Sequence, residues 1–378
     1  MKTQEAVQQL QKFVRLLAEA GITDRKGYHE WRKRDGSEAL MEEAFGYRRT
    51  GTMPSITALL APYFHATLPL IGLNYSPVAH NTLHAFPDGW TTALRLCRGI
   101  IFDREGNLVG KGFDKFFNFG EHPETTDLPD EPFDATEKKD GHLGIIFSYR
   151  GELMLATRQS FGGPTAVLGN AMLGEIAAKK GWKAKFPPGM SVLVEIIHPK
   201  THVHVDYGRK KGFVLIGAYD NATLRDLGAH GELVPLAKAL GIPVTERWQG
   251  TSIKDLRKLM KDMSVRNKEG FVVRFASGLR VKFKFESYIG LMVEEKLSYT
   301  YLMNRMAAGN LDRMLDTLDA EVRPKADEMV RNIRKVSRFK DEKKRREYLY
   351  ALDPEKQKNQ YYRGICRKYL KRLQASEA

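Results

Sequence analysis

Apolar residues along this chain fall into three textures. Over residues 1–60, Val7, Leu10, Phe13, Leu16 and Leu17 recur at helical spacing and a charged stretch covers 24–35, which predicts a helical N-terminal extension. Residues 61–292 carry short β-branched and aromatic runs at 99–102, 143–149, 153–156, 192–197, 213–218, 270–275 and 279–285, separated by Gly, Asp and Asn. These predict a strand-rich α+β domain. Over residues 293–378 helical spacing returns without β runs, and Pro324 and Pro354 stand where one helix should break from the next, so an all-helical C-terminal domain is expected.

Length and charge add a partner to this outline. At about 100–200 residues per domain, 378 residues allow two or three domains with a core large enough to surround a ligand cleft. Residues 1–17 read as an amphipathic helix and not as a signal peptide, and no apolar run reaches the roughly 18 residues of a membrane span, so a cytoplasmic protein without a membrane partner is expected. Cys97 and Cys366 are too few and too far apart for a disulfide framework or a zinc cluster and are expected as free thiols. The formal charge of +15 points to a polyanionic partner. Most of that excess lies in residues 323–372, where 18 Lys or Arg face 7 Asp or Glu. That segment reads either as a solvated helix face or as an RNA contact, with Tyr348, Tyr350, Tyr361, Tyr362 and Tyr369 available for stacking or for the core.

Chemistry centres on Lys138-Lys139-Asp140-Gly141 ahead of the apolar run at 143–147, which places a lysine on a loop entering a strand. A deprotonated amine there can attack phosphorus and carry a covalent intermediate. Four loosely defined positions also describe a solvated turn, so the surrounding segments decide. Upstream stand Cys97-Arg98-Gly99-Ile100-Ile101-Phe102-Asp103 and Phe113-Asp114-Lys115-Phe116-Phe117-Asn118-Phe119-Gly120-Glu121. Downstream stand Thr157-Arg158-Gln159-Ser160, Val194-Glu195-Ile196-Ile197-His198-Pro199, Lys268-Glu269-Gly270-Phe271 and Val281-Lys282-Phe283-Lys284-Phe285. In the last segment, strand alternation sends the three apolar residues to a core and both lysines to the other face, where two ammonium groups suit a phosphate.

In that order and spacing, residues 96–284 resemble the covalent nucleotidyltransferase superfamily of ATP-dependent ligases and capping enzymes, with its motifs I, III, IIIa, IV and V running from Lys138 to Lys284. The Arg-Gly strand and the Asp-Lys-Phe-Phe-Asn segment are similar to the RNA ligase 1, or T-even phage, branch. The resemblance implies an ATP-grasp-like adenylyltransferase domain of antiparallel sheets with helices. It also implies an ATP-dependent RNA ligase in which Lys138 becomes lysyl-AMP, AMP passes to an RNA 5′-phosphate, and a 3′-hydroxyl then displaces it. The natural substrate is left open among a cleaved tRNA, another RNA and single-stranded DNA, and a monomer is expected.

Carried over by motif position, Arg98, Lys115, Phe117 and Arg158 match nucleotide and phosphate contacts, and Lys282 and Lys284 match the pair on the α-phosphate. Glu195 and Glu269 match nucleotide-binding positions and, with Asp140, the acidic set that positions Mg²⁺, or Mn²⁺ in its place. Asn74-Tyr75-Ser76-Pro77 aligns with an upstream tyrosine segment that contacts nucleotide. One departure is Thr201-His202-Val203-His204, where the family commonly shows Asn-Arg-Ile-Val. His202 and His204 are expected on one face of a strand, as polar lining or as a ligand pair. The rival readings are a DNA ligase, a GTP-using capping enzyme and a catalytically inactive RNA-binding homologue.

Overall fold

The computed structural model describes residues 2–377 apart from 84, 85, 87, 180, 317, 319 and 320. A first sheet joins β1 (Tyr63–Phe64), β2 (Leu70–Asn74), β3 (Arg98–Asp103) and β4 (Leu108–Gly110) in chain order. Between β4 and the second sheet come β5 (Phe117–Asn118) and β6 (Phe133–Lys138). The second sheet is built from β7 (His142–Tyr149), β8 (Glu152–Thr157), β9 (Met190–Ile197) and β10 (Gly212–Asp220), in the order β10-β9-β7-β8. Adding β11 (Gly270–Phe275) and β12 (Arg280–Lys284) completes a third sheet in the order β5-β12-β11-β6. Each of the seven runs read from the sequence is a strand. Pairing is antiparallel except between β5 and β12, which run parallel.

Two apolar layers hold these sheets. Ile101, Phe113, Ile145, Phe147 and Leu193 pack together between the first and second sheets. On the far side of the second sheet, Ile146, Val192, Val194 and Leu215 meet residues of the helices Pro164–Ala177 and His230–Leu240.

The described part of residues 1–60 is largely helical, but it does not form a body apart from the first sheet. Val7, Leu10, Phe13, Val14 and Leu17 of the helix Lys2–Glu19 share one core with Leu94, Cys97, Ile100, Phe102 and Phe117. Amphipathicity at the N-terminus therefore records packing against that sheet, and the chain forms two compact units, Met1–Phe285 and Glu286–Ala378.

The second unit is helical throughout its described elements. Pro324 lies in the first turn of the helix Arg323–Arg334, and Pro354 opens a 3₁₀ turn between the helices Glu342–Ala351 and Gln360–Glu377. Of its tyrosines, Tyr362 and Tyr369 are buried, while Tyr361 is exposed. No described helix is long and apolar enough to cross a membrane. Both cysteines are buried free thiols, and burial pushes each thiol above its ordinary range.

Candidate active site

Strand register in the third sheet sets out a grid of side chains. Gly270 pairs with Lys138 on one side and Lys284 on the other, Val272 with Thr136 and Lys282, and Arg274 with Asp134 and Arg280. Because side chains alternate along a strand, these nine residues share one face, and Ala135, Val273 and Val281 occupy the other. Seven of the nine, all but Gly270 and Lys284, line a cleft of about 710 Å³ including its open mouth, bounded also by Arg98, Phe113, Phe116, Leu143, Glu195 and Ile216. A concave site whose apolar walls carry convergent charges suits a charged small molecule.

Lys138 is the last residue of β6, not a loop residue as its sequence context predicted. The apolar signal for this strand is weak because Asp134, Thr136 and Lys138 face the cleft. Glu269, buried one residue before β11, joins two of the grid lysines. Its carboxylate lies 2.6 Å from Lys138 Nζ and 3.6 Å from Lys284 Nζ. Glu195 on β9 accepts the Gly141 N–H at 3.0 Å. Burial pushes the Glu195 carboxyl up to about 7, with the Glu269 charge adding to the effect and Lys138 opposing it.

At the phosphate-seeking end the cations crowd. Burial holds Lys282 well below the ordinary lysine range, and the positive charges of Lys115 and Arg98 push it further. Arg98 is depressed by burial too, its Nη1 is buried without a hydrogen-bond partner, and its guanidinium lies 5.7 Å from the Phe116 ring. Arg158 donates to the Tyr75 hydroxyl at 3.1 Å. Burial alone would raise the Tyr75 hydroxyl, but Arg158, Arg98 and Lys115 outweigh it and lower its pKa. Fixed, poorly solvated positive charge of this kind is what an incoming polyphosphate would neutralise.

The structure redistributes several expected roles. Phe117 is fully buried, stacked on His122 at 4.3 Å, so it does not line the cleft. Phe116 does, with Lys282 Nζ 4.8 Å from its ring centre. Lys115 lies 3.4 Å from Glu121 and faces a neighbouring cavity that shares Phe113, Phe116 and Arg280 with the cleft. Lys139 pairs with Glu137 at 2.6 Å.

Asp140 is buried, and one of its oxygens accepts the backbone N–H groups of His204 and Val205 at 2.8 and 2.7 Å. That bonding takes the backbone of His202–His204 out of any ladder, so the histidines lie in a loop and not on the expected strand. Among the described residues, no three His, Cys, Asp or Glu side chains are grouped to hold one metal ion.

Sequence reasoning also missed the acid that pairs with the two grid arginines. Asp226 bonds Arg280 through both carboxylate oxygens, at 2.7 and 2.8 Å, and Arg274 at 3.3 Å. Its only trace in the sequence is the alternation that places Arg274 and Arg280 on the lysine face.

In sequence the chain is similar to known RNA ligases. A family profile described as RNA ligase matches residues 96–288. The chain is 29% identical over 195 residues to a Thermovibrio ammonificans protein provisionally named an RNA ligase, covering 50% of this chain and 49% of that one. It is 29% identical over 211 residues to RNA ligase 1 of Bacteriophage TS2126, covering 50% of each. The chain thus spans about half the length of the curated relatives it matches. Among solved structures, it is similar to an archaeal ATP-dependent RNA ligase at a TM-score of 0.45 and 16% identity, covering 74% of this chain and 76% of that one.

Proposed function

Because the chain belongs to the RNA ligase family, we propose that it joins RNA ends at the expense of ATP through a lysyl-AMP on Lys138. The observation that carries this reading is the cross-strand grid that gathers Lys138, Lys282 and Lys284 on one face of the third sheet, with Glu269 between the first and last. Lys138 Nζ attacks the α-phosphorus of ATP, a P–N bond forms and pyrophosphate leaves. An RNA 5′-phosphate then takes the AMP from Lys138, and a 3′-hydroxyl displaces it to form the phosphodiester. Cleaved tRNA is one candidate source of such ends.

Each transfer concentrates negative charge on phosphorus oxygens, and Lys282, Lys284 and Arg98 supply fixed positive charge to meet it. Phe116 and the apolar residues Leu143, Ile216 and Val272 offer a surface for the base. The donor chemistry suits a hydrated Mg²⁺ or Mn²⁺, because Glu195 and Glu269 place two interacting carboxylates beside Lys138 and magnesium needs few protein ligands. Glu195 and Glu269 would hold the ion. Asp140, engaged by two backbone N–H groups, positions the adjoining loop. When bound, the ion neutralises charge on the phosphates.

The test is incubation of wild type and Lys138→Ala with α-labelled ATP or GTP and a divalent metal, followed by denaturing electrophoresis. Label retained from ATP by wild type alone supports the reading. Label from GTP in place of ATP would support a capping enzyme, and label from neither would overturn covalent nucleotidyl transfer.

A further inference from the structure

The loop that replaces the expected histidine strand is fastened to the nucleophile's own neighbourhood from two sides. Asp140, two residues after Lys138, accepts the N–H groups of His204 and Val205, and its own N–H donates to the Tyr207 hydroxyl at 2.9 Å. Asn267, two residues before Glu269, accepts the Asp206 N–H at 2.7 Å and donates to the Asp206 carbonyl at 2.8 Å. Asn267 holds a left-handed backbone, φ 56°, to do so. Lys200, Arg209 and Lys210 are exposed on the clamped loop, and Arg266 and Lys268 are exposed on the segment clamped to it. Asp206 is an exposed acid between them. A small cavity bounded by Gly141, His202, Tyr207 and Lys210 opens beside them.

Flexible lysines on a solvated surface need no such anchoring. Here three exposed cations sit on a loop tied by hydrogen bonds between side chains and backbone to the two segments that carry Lys138 and Glu269, and two more sit on the second of those segments. Resting on the ligase reading, we propose that the paired segments 200–210 and 266–268 form a seat for the sugar-phosphate backbone of single-stranded RNA next to Lys138. The contacts are with phosphates, so they set position and affinity without reading sequence.

The test compares full-length wild type with Lys200→Ala/Arg209→Ala/Lys210→Ala, and with a control, Lys254→Ala/Lys258→Ala/Lys261→Ala, that removes equal charge from exposed positions elsewhere in the same unit. Binding of a 5′-phosphorylated single-stranded RNA is measured over a range of salt, and labelling by α-labelled ATP is measured separately. With about 0.7 of salt slope per phosphate contact on a single strand, the seat variant should lose about 2 units of slope, while the control keeps its slope and both keep wild-type labelling. A seat variant with the wild-type slope, or a control that loses as much, overturns the proposal. Labelling judges the ligase reading alone: if wild type takes no label yet the slope difference persists, the seat stands and that reading falls.

Discussion

Gly270 lies so close to Phe283 on the neighbouring strand that a Cβ added to it would sit 1.9 Å from the Phe283 carbonyl oxygen. No rotamer relieves this contact, because the obstacle is backbone. Gly270→Ala must therefore part β11 from β12 in the row that holds Lys138 and Lys284. We expect a loss of about 3 kcal/mol or more of stability, read as a fall in melting temperature, together with loss of self-labelling by ATP. Wild-type melting would show that the strands part without cost and would remove this explanation for the glycine.

Lys282 gives a proton signature. Its pKa is depressed by burial and by the charges of Lys115 and Arg98, and an arriving phosphate raises it again. Binding of ATP or pyrophosphate should then take up as much as roughly one proton per site at pH values above the depressed pKa. Calorimetry in buffers of different ionisation enthalpy measures that uptake, and Lys282→Met should abolish it. Equal uptake by the variant would assign the proton elsewhere.

Glu195 links stability to pH. Its folded pKa of about 7 lies above its ordinary 4.5, so between those values the folded chain holds a proton that the unfolded chain releases. Its contribution is full below about pH 4.5 and is lost as pH rises through about 7, on the order of 3 kcal/mol in total. Glu195→Gln removes the titration. The melting temperature of the variant relative to wild type should climb across this window, and a constant difference would contradict the linkage.

Adjacent phenylalanines should separate stability from binding. Phe117→Ala empties a fully buried position and should cost about 3–5 kcal/mol. Phe116→Ala should cost less stability and raise the KM for ATP several-fold, since Phe116 lines the cleft. Thermal melts and labelling kinetics on both variants check the assignment, and the reverse pattern would restore Phe117 to the cleft.

What could be read from the sequence depended on which environment wrote the pattern. Strands that are apolar on both faces, such as β9, or on one, such as β12, announced themselves by composition, and alternation correctly put Lys282 and Lys284 on a common face. β6 stayed hidden because its open face serves the cleft and is polar, and β5, only two residues long, offers no period to detect. Phe116 and Phe117 show a different limit. Adjacent aromatics look alike in a motif, and only the packing partner, His122 for one and the cleft for the other, tells them apart. The Asp226 cluster joins residues about fifty positions apart, a contact that local pattern does not encode.

The third sheet takes its outer strands, β5 and β6, from the first 138 residues and its inner strands, β11 and β12, from residues 270–284. During synthesis Lys138 thus leaves the ribosome long before the strands that give it Glu269, Lys282 and Lys284 as neighbours. Loop closure over such a separation is slow and comes late. On the ligase reading, a nascent or prematurely terminated chain that stops short of β12 carries Lys138 without Lys282 and Lys284. On that reading such a chain would take no label from ATP, and self-labelling would begin with the last strand of the sheet.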